Sequence, residues 1–219
     1  MAFKDLVVYG AGGMGRELMW QLNDPVSEKF NILGFIDDDP EKLGEIINGF
    51  PVVGDTKWLL ERKSEICVAV ALGNPVTRRK VVELLKSNIN ISFPNIIAPD
   101  VKISEFVRLG EGCIICYANI ITVNIEIGDF FLLNRCCTIG HDCVIGDFVT
   151  LNPMVSVSGN VTIEDCVDIG TGANVIQGKN IGSNSVIGAG AVVIRDIPSD
   201  STSVGVPATP IKFKGGITL

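Results

Sequence analysis

Seventeen positions in succession, every sixth residue from Ile97 to Val193, are Ile, Leu or Val. Four residues after many of them stands a second small or aliphatic residue, as at Val101, Val107, Cys113, Cys143, Val149, Val155, Val161, Val167, Ala173 and Ala191. A helix would repeat near 3.6 and an ordinary half-buried strand at 2, so a sustained period of six describes neither. It fits a parallel β-helix in which each hexapeptide forms one short strand and both apolar positions point inward. Three hexapeptides make a triangular coil of 18 residues, and neighbouring coils lie about 4.8 Å apart, so residues 18 apart stack. The single histidine, His141, therefore stacks on Gly159, and Asn134 stacks on Asn152.

Before Pro94 the rhythm is different. Apolar strands ("LVVYG", "NILGFIDDD", "PVVG", "ICVAVALG") alternate with helical patterns near 13–22, 55–63 and 76–87. This predicts a small open α/β sheet over residues 1–95, ahead of an all-β unit over 96–219. Within it, "VVYGAGGMGRE" sets Gly10, Gly12 and Gly15 in G-x-G-x-x-G spacing between a strand and a helix, a turn suited to backbone contact with phosphate. Asp37 ends the second strand in "GFIDDD", where a carboxylate accepts from a ribose or base, and "ALGN" ends another strand with Gly73 and Asn74, Arg78 following. The fingerprint also fits NAD, yet about 95 residues are half of a two-lobed dinucleotide domain, which favours a mononucleotide or nucleotide-sugar. A purely structural strand-to-helix turn explains the glycines too, and a helix N-cap explains Asn74.

A formal net charge of −7, a pI of about 4.7 and no Lys/Arg stripe argue against nucleic acid. Mean hydropathy is high at +0.38, but the N-terminal run Leu6–Tyr9 is far short of the roughly 20 residues a membrane span needs, and no basic leader region precedes it. Seven cysteines, an odd number in a chain large enough to need no disulfide framework, point to a reducing cytoplasm.

Imidazole has an ordinary pKa near 6.5 and serves as a general base at neutral pH. Beside a backbone N–H that stabilises an oxyanion, His141 and Gly159 suit acyl transfer from a thioester, with Asp142 orienting the ring. A polar corner residue is the plainer reading of His141. A Cys–His acyl-enzyme using Cys136, Cys137 or Cys143 is a rival, although Cys137 and Cys143 fall in the inward phase. "CIIC" (Cys113, Cys116) has ligand-like spacing without a second pair, so no metal is expected.

Taken together, "VVYGAGGMGRE", "GFIDDD", "ALGN", "LLNRCCTIGHDCVIGDF", "SGNV" and "SVGVPATPIK" resemble the PglD/NeuD-type bacterial sugar acyltransferases over essentially the whole chain. The resemblance implies a Rossmann-like N-terminal domain and a left-handed β-helix. It implies nucleotide contacts at Gly12, Gly13, Asp37, Asp38, Gly73 and Asn74, and a sugar contact at Asn134. His141 is the implied base with Asp142 its acidic neighbour. Gly159 is the implied amide at the thioester carbonyl, and Gly170, Thr171, Gly188 and Ala189 lie along the pantetheine of acetyl-CoA. Homotrimers with acyl-CoA between adjacent β-helices, and direct transfer in a ternary complex, are further implications. Three positions depart from the family: Met14 and Gly140, where many relatives carry His and Glu, and Thr150, where some N-acetyltransferases carry a second histidine near the cofactor. All three bear on acceptor or acyl contacts. The expected function is acetyl transfer to the amino group of a nucleotide-linked sugar. O-acetylation of sialic acid or a related sugar, a non-catalytic nucleotide-binding scaffold, and an NAD-linked oxidoreductase are the alternatives.

Overall fold

The computed structural model describes residues 3–24 and 30–214. Its first unit is a sheet of β1 (Lys4–Tyr9), β2 (Phe30–Ile36), β3 (Ile46–Ile47), β4 (Phe50–Gly54), β5 (Ile66–Val70) and β6 (Ile91–Ser92), in the order β3-β4-β2-β1-β5-β6. All pairings are parallel except β3 with β4. Helices α1 (Gly13–Leu22), α2 (Thr56–Leu60) and α3 (Pro75–Leu85) provide the crossovers. Leu6–Tyr9 of β1 and all of β5 are continuous buried apolar runs, as strands covered on both faces must be. Strand order reverses between β1 and β5, so the loops at their carboxyl ends, Gly10–Gly12 and Ala71–Asn74, flank a switch-point crevice. The short strands β3 and β6 at the sheet edges carry no periodic signal in the sequence.

The second unit is a triangular prism of two- and three-residue strands. Register is 18 up to the last coil, where it shortens to 16 (Val186 with Thr202, Ile181 with Ile197): on the first face Ile96, Ile114, Leu132, Thr150, Asp168 and Val186 pair in line, on the second Ile120, Thr138 and Ser156, and on the third Glu126, Val144 and Thr162. The inward residues form one continuous core from Cys113 to Ala208, each fully buried aliphatic side chain contributing about 1.5–3 kcal/mol. Two inward positions are polar and satisfied locally: Asn119 donates to the Cys116 carbonyl at 2.6 Å and Ser185 to the Gly182 carbonyl at 2.6 Å. At the first coil Ile97 and Ile103 remain partly exposed because no coil lies beneath them. At the far end the chain turns back in an antiparallel pair, Ser201–Val204 with Thr209–Phe213.

Each turn between faces is made the same way. Every sixth residue from Gly112 to Gly190 adopts φ between 54° and 70°, including bulky residues such as Phe130, Phe148 and Met154. Left-handed backbone costs an L-residue about 1–2 kcal/mol, so the core and the coil-to-coil hydrogen bonds must hold these corners in place. Asp142, one residue after the histidine, is one of them.

The α/β unit packs across the first face and its two edges. Gln21 donates to the Ile115 carbonyl at 3.1 Å, Arg135 pairs with Glu17 at 2.7 Å, Lys86 with Glu111 at 2.6 Å, and Trp20 lies against Tyr117 with ring centroids 4.9 Å apart.

Candidate active site

His141 stands at the edge between the second and third faces, half exposed. Its Nδ1 is 2.7 Å from Asp142 Oδ2, and Asp142 Oδ1 accepts from Asn124 Nδ2 at 3.1 Å, one coil below. Those two hydrogen bonds, first from His141 and then from Asn124, hold the Asp142 carboxyl below the usual carboxylate range. An ionised partner on Nδ1 selects the tautomer with hydrogen there and leaves the Nε2 lone pair free to take a proton. The ring lies flat over Gly159: a Cβ at Gly159 would stand 2.5 Å from both Cε1 and Nε2. Only glycine admits the imidazole in this pose. The Gly159 N–H has no hydrogen-bond partner among the described residues, whereas its counterparts at another edge, Glu111, Asp129 and Asp147, are each capped by the next coil's aspartate at 2.8–2.9 Å. A free base nitrogen and an uncommitted amide thus adjoin one spot.

Asn134 and the expected pantetheine residues stand elsewhere. Asn134, Gly170 and Gly188 stack at the edge between the first and second faces, with Thr171 and Ala189 beside them, one full face away from His141. Six residues at about 3.3 Å each span at most about 20 Å. Gly170 and Gly188 also serve coil stacking, since a Cβ would lie 2.6 Å from the Ala189 nitrogen and 2.7 Å from Val204 Cγ1 respectively. Asn134 Oδ1 accepts from the Arg135 amide at 2.8 Å and from its guanidinium at 3.3 Å, which leaves Oδ1 engaged within the same corner.

The nucleotide-type loops sit on the α/β unit over the first face. Gly10 takes φ +99° and donates to the Ile36 carbonyl, and Gly15 lets α1 rest on the turn, since its Cβ would run into the Gly10 carbonyl. Gly12, Gly13 and Gly73 have open space where a side chain would go. The N-terminus of α1 has no side-chain cap and no acidic residue in its first turn, an arrangement that receives an anion. Asp37 braces this loop from inside, accepting from Ala11 N at 2.9 Å and Asp39 N at 3.0 Å and pairing with Lys42 at 3.1 Å. Asp38 accepts from Tyr9 Oη at 2.6 Å and Thr56 N at 2.7 Å. Burial acts upward on both carboxyls, and these hydrogen bonds outweigh it and hold them low. Asn74 caps α3 by accepting from Thr77 N at 2.9 Å.

Two of the three departures are absorbed by the fold. Thr150 is 1% exposed at the junction of the two units and donates to the Gly73 carbonyl at 2.8 Å, so it cannot contact an acyl group at the His141 edge. Met14 packs partly buried against the core under α1. Gly140 is confined by the coil above, its Cβ falling 2.7 Å from the Gly159 nitrogen. Six of the seven thiols are buried and Cys136 is an exposed corner residue; burial pushes Cys113 and Cys137 up to about 11 and Cys116 to about 12, and raises Cys143. Among the described residues no group of three or more His, Cys, Asp or Glu is placed to hold a metal, and no helix is long and apolar enough to cross a membrane.

A hexapeptide β-helix with a His–Asp pair on one edge, carrying a nucleotide-type α/β unit on the opposite face, defines an acyltransferase of the hexapeptide-repeat class. The model of the PglD N-terminal domain family matches residues 5–85. The fold matches PerB from Caulobacter crescentus, solved with CoA and GDP-perosamine, at 31% identity over 95% of this chain and 98% of that one, TM-score 0.85. It matches the acetyltransferase domain of PglB from Neisseria gonorrhoeae in complex with acetyl coenzyme A (31% identity, 95% and 100% covered, TM-score 0.86). It also matches WeeI from Acinetobacter baumannii (35%, 94% and 99%, TM-score 0.84). No curated protein sequence gives a significant match. The chain belongs to the PglD/NeuD-type family of bacterial sugar acyltransferases, and its β-helix is left-handed.

Proposed function

We propose that this protein transfers the acetyl group of acetyl-CoA to the amino group of a nucleotide-linked sugar, with His141 as general base. The carrying observation is the imidazole held between Asp142 and Gly159, with Nε2 unencumbered and the Gly159 N–H uncommitted. The acceptor nitrogen attacks the thioester carbonyl, Nε2 takes its proton, and the Gly159 amide donates to the oxyanion. The C–S bond then breaks, and the imidazolium returns the proton to the departing thiolate. The N-terminal domain, residues 1–95, holds the nucleotide at Gly12, Gly13 and Gly73 with its phosphates at the start of α1, braced by Asp37 and Asp38. The β-helix, residues 96–219, carries the transfer. Amine rather than hydroxyl acceptance is supported by the Caulobacter relative, which is a perosamine N-acetyltransferase.

The working unit in this reading is a homotrimer. His141, Asp142 and Gly159 occupy one edge, while Asn134, Gly170, Thr171, Gly188 and Ala189 occupy another, on the side where the same chain carries its nucleotide loops. If the second faces, with their uncharged Thr138, Ser156, Asn174 and Val192, turn toward a threefold axis, each catalytic edge meets the neighbour's cofactor edge. Seven unpaired cysteines support a reducing, cytoplasmic setting.

Thiol release from acetyl-CoA with UDP-, GDP- and dTDP-amino sugars and sialic acid tests the reaction. Turnover of an amino sugar supports it, turnover of sialic acid alone moves it to O-acetylation, and silence across the panel contradicts it. Mixing His141→Ala with Thr171→Trp protomers tests the composite site. Two inactive proteins should regain about a quarter of wild-type activity in randomly mixed trimers, and none if each site lies within one chain.

A further inference from the structure

Arg78 and Thr150 take no part in the chemistry above, yet each is 1% exposed. Arg78, on α3, donates from Nε to the Phe130 carbonyl at 3.0 Å, and from Nη2 to the carbonyls of Phe148 and Val149 at 2.9 and 3.2 Å. Its Nη1 reaches the carbonyls of Leu72 and Gly73 at 2.6 and 3.2 Å and Thr150 Oγ1 at 3.0 Å. Thr150 Oγ1 in turn donates to the Gly73 carbonyl at 2.8 Å. Every contact is to a neutral oxygen. Burial lowers the guanidinium to about 10, the Asp168 carboxylate opposing, so it stays charged at neutral pH. A charge surrounded by neutral dipoles stabilises poorly for its desolvation cost. Two bulky corners, Phe130 and Phe148, are held left-handed with their carbonyls on this group.

All of this converges on Gly73. Its carbonyl accepts from Thr150 on the β-helix and from Arg78 on α3, which is itself anchored to β-helix carbonyls, while the position its Cβ would take is open. The same loop follows β5 and flanks the switch-point crevice beside the Gly10–Gly12 loop that follows β1. We propose that Arg78 and Thr150 are positioning residues that lock the Gly73–Asn74 turn against the β-helix and so set the affinity for the nucleotide part of the acceptor. This rests on the assignment of the N-terminal domain as the nucleotide-sugar site.

Thr150→Val keeps the shape and deletes the hydroxyl, and Thr150→Ser keeps the hydroxyl. In Thr150→Val, KM for the nucleotide-linked acceptor rises about 10-fold, with kcat and KM for acetyl-CoA within about twofold. Thr150→Ser restores the wild-type value. Without any ligand, amide exchange over Leu72–Thr77 quickens about 10-fold in Thr150→Val and not in Thr150→Ser. Unchanged exchange in Thr150→Val overturns the lock, and so does a rise in KM for acetyl-CoA in place of the acceptor, which would put Thr150 with the acyl donor. Should wild type turn over no nucleotide sugar, faster exchange still supports the lock, and it is the substrate assignment that fails.

Discussion

Replacing Gly159 by alanine probes the catalytic geometry with one added carbon. Its Cβ would stand 2.5 Å from Cε1 and Nε2 of His141, against a contact distance of about 3.5 Å, an overlap of about 1 Å. The Gly159 backbone is not in the left-handed region, so alanine adds no strain of its own. The imidazole is half exposed and yields more easily than the backbone beneath it, so it swings outward and its 2.7 Å bond to Asp142 is lost or skewed. A displacement of about 1 Å costs on the order of 10²-fold in rate, equivalent to about 2.7 kcal/mol on the barrier. Folding stability, by contrast, changes by less than about 1 kcal/mol, because the ring that moves is already at the surface. Continuous thiol detection gives kcat and calorimetry gives Tm. A Gly159→Ala protein with kcat within about twofold of wild type and unchanged Tm would refute the claim that the ring is held there for catalysis.

Other consequences bear on the nucleotide loop and the fold. Gly13→Ala, a helix position with nothing near its Cβ, should raise stability by up to about 1 kcal/mol in thermal unfolding, while raising KM for the nucleotide-linked acceptor. Affinity unchanged alongside the stability gain would remove the phosphate from the start of α1. Gly15→Ala drives a methyl into the Gly10 carbonyl, so urea titration should show a loss of about 3 kcal/mol or an unfolded chain. Asp37 and Asp38 are held below the ordinary carboxylate range, so they stabilise the fold above the unfolded-state pKa, and that stability is lost as pH falls through their lower folded-state values. Asp37→Asn should therefore be less stable than wild type at pH 7, with the gap narrowing below about pH 4 in denaturant titrations. A gap that does not depend on pH would contradict this.

The β-helix was legible because its core repeats: an inward Ile, Leu or Val every sixth residue leaves no other buried arrangement, and the 18-residue stacking of His141 on Gly159 follows from it. That Asn134 and Gly170 lie on a different edge from His141 is contained in the same count, because their phases within 18 differ. The left-handed corners were not legible. They are imposed by the coil on whatever residue falls there, from Gly112 to Phe148, so no residue type announces them. The α/β strands were visible as apolar runs, but β3 and β6, with two residues each, are made by their neighbours rather than by pattern. Thr150 and Met14 stand out in the sequence only as departures from the family's pattern, whereas the fold buries Thr150 at the junction of the two units and packs Met14, partly buried, on the core. The Arg78 cluster joins residues 52 to 72 apart with no spacing rule to reveal it.

In the reaction proposed above, His141 removes the acceptor proton during acetyl transfer to a nucleotide-linked amino sugar. The most direct measurement is kcat of wild type and His141→Ala with acetyl-CoA and the amino sugar that wild type turns over, alongside acetyl-CoA affinity by calorimetry. With His141 as the base, kcat falls by about 10²-fold or more, on the order expected for loss of a general base, with acetyl-CoA binding retained. Equal rates in the two proteins would take His141 out of the chemistry and contradict the account.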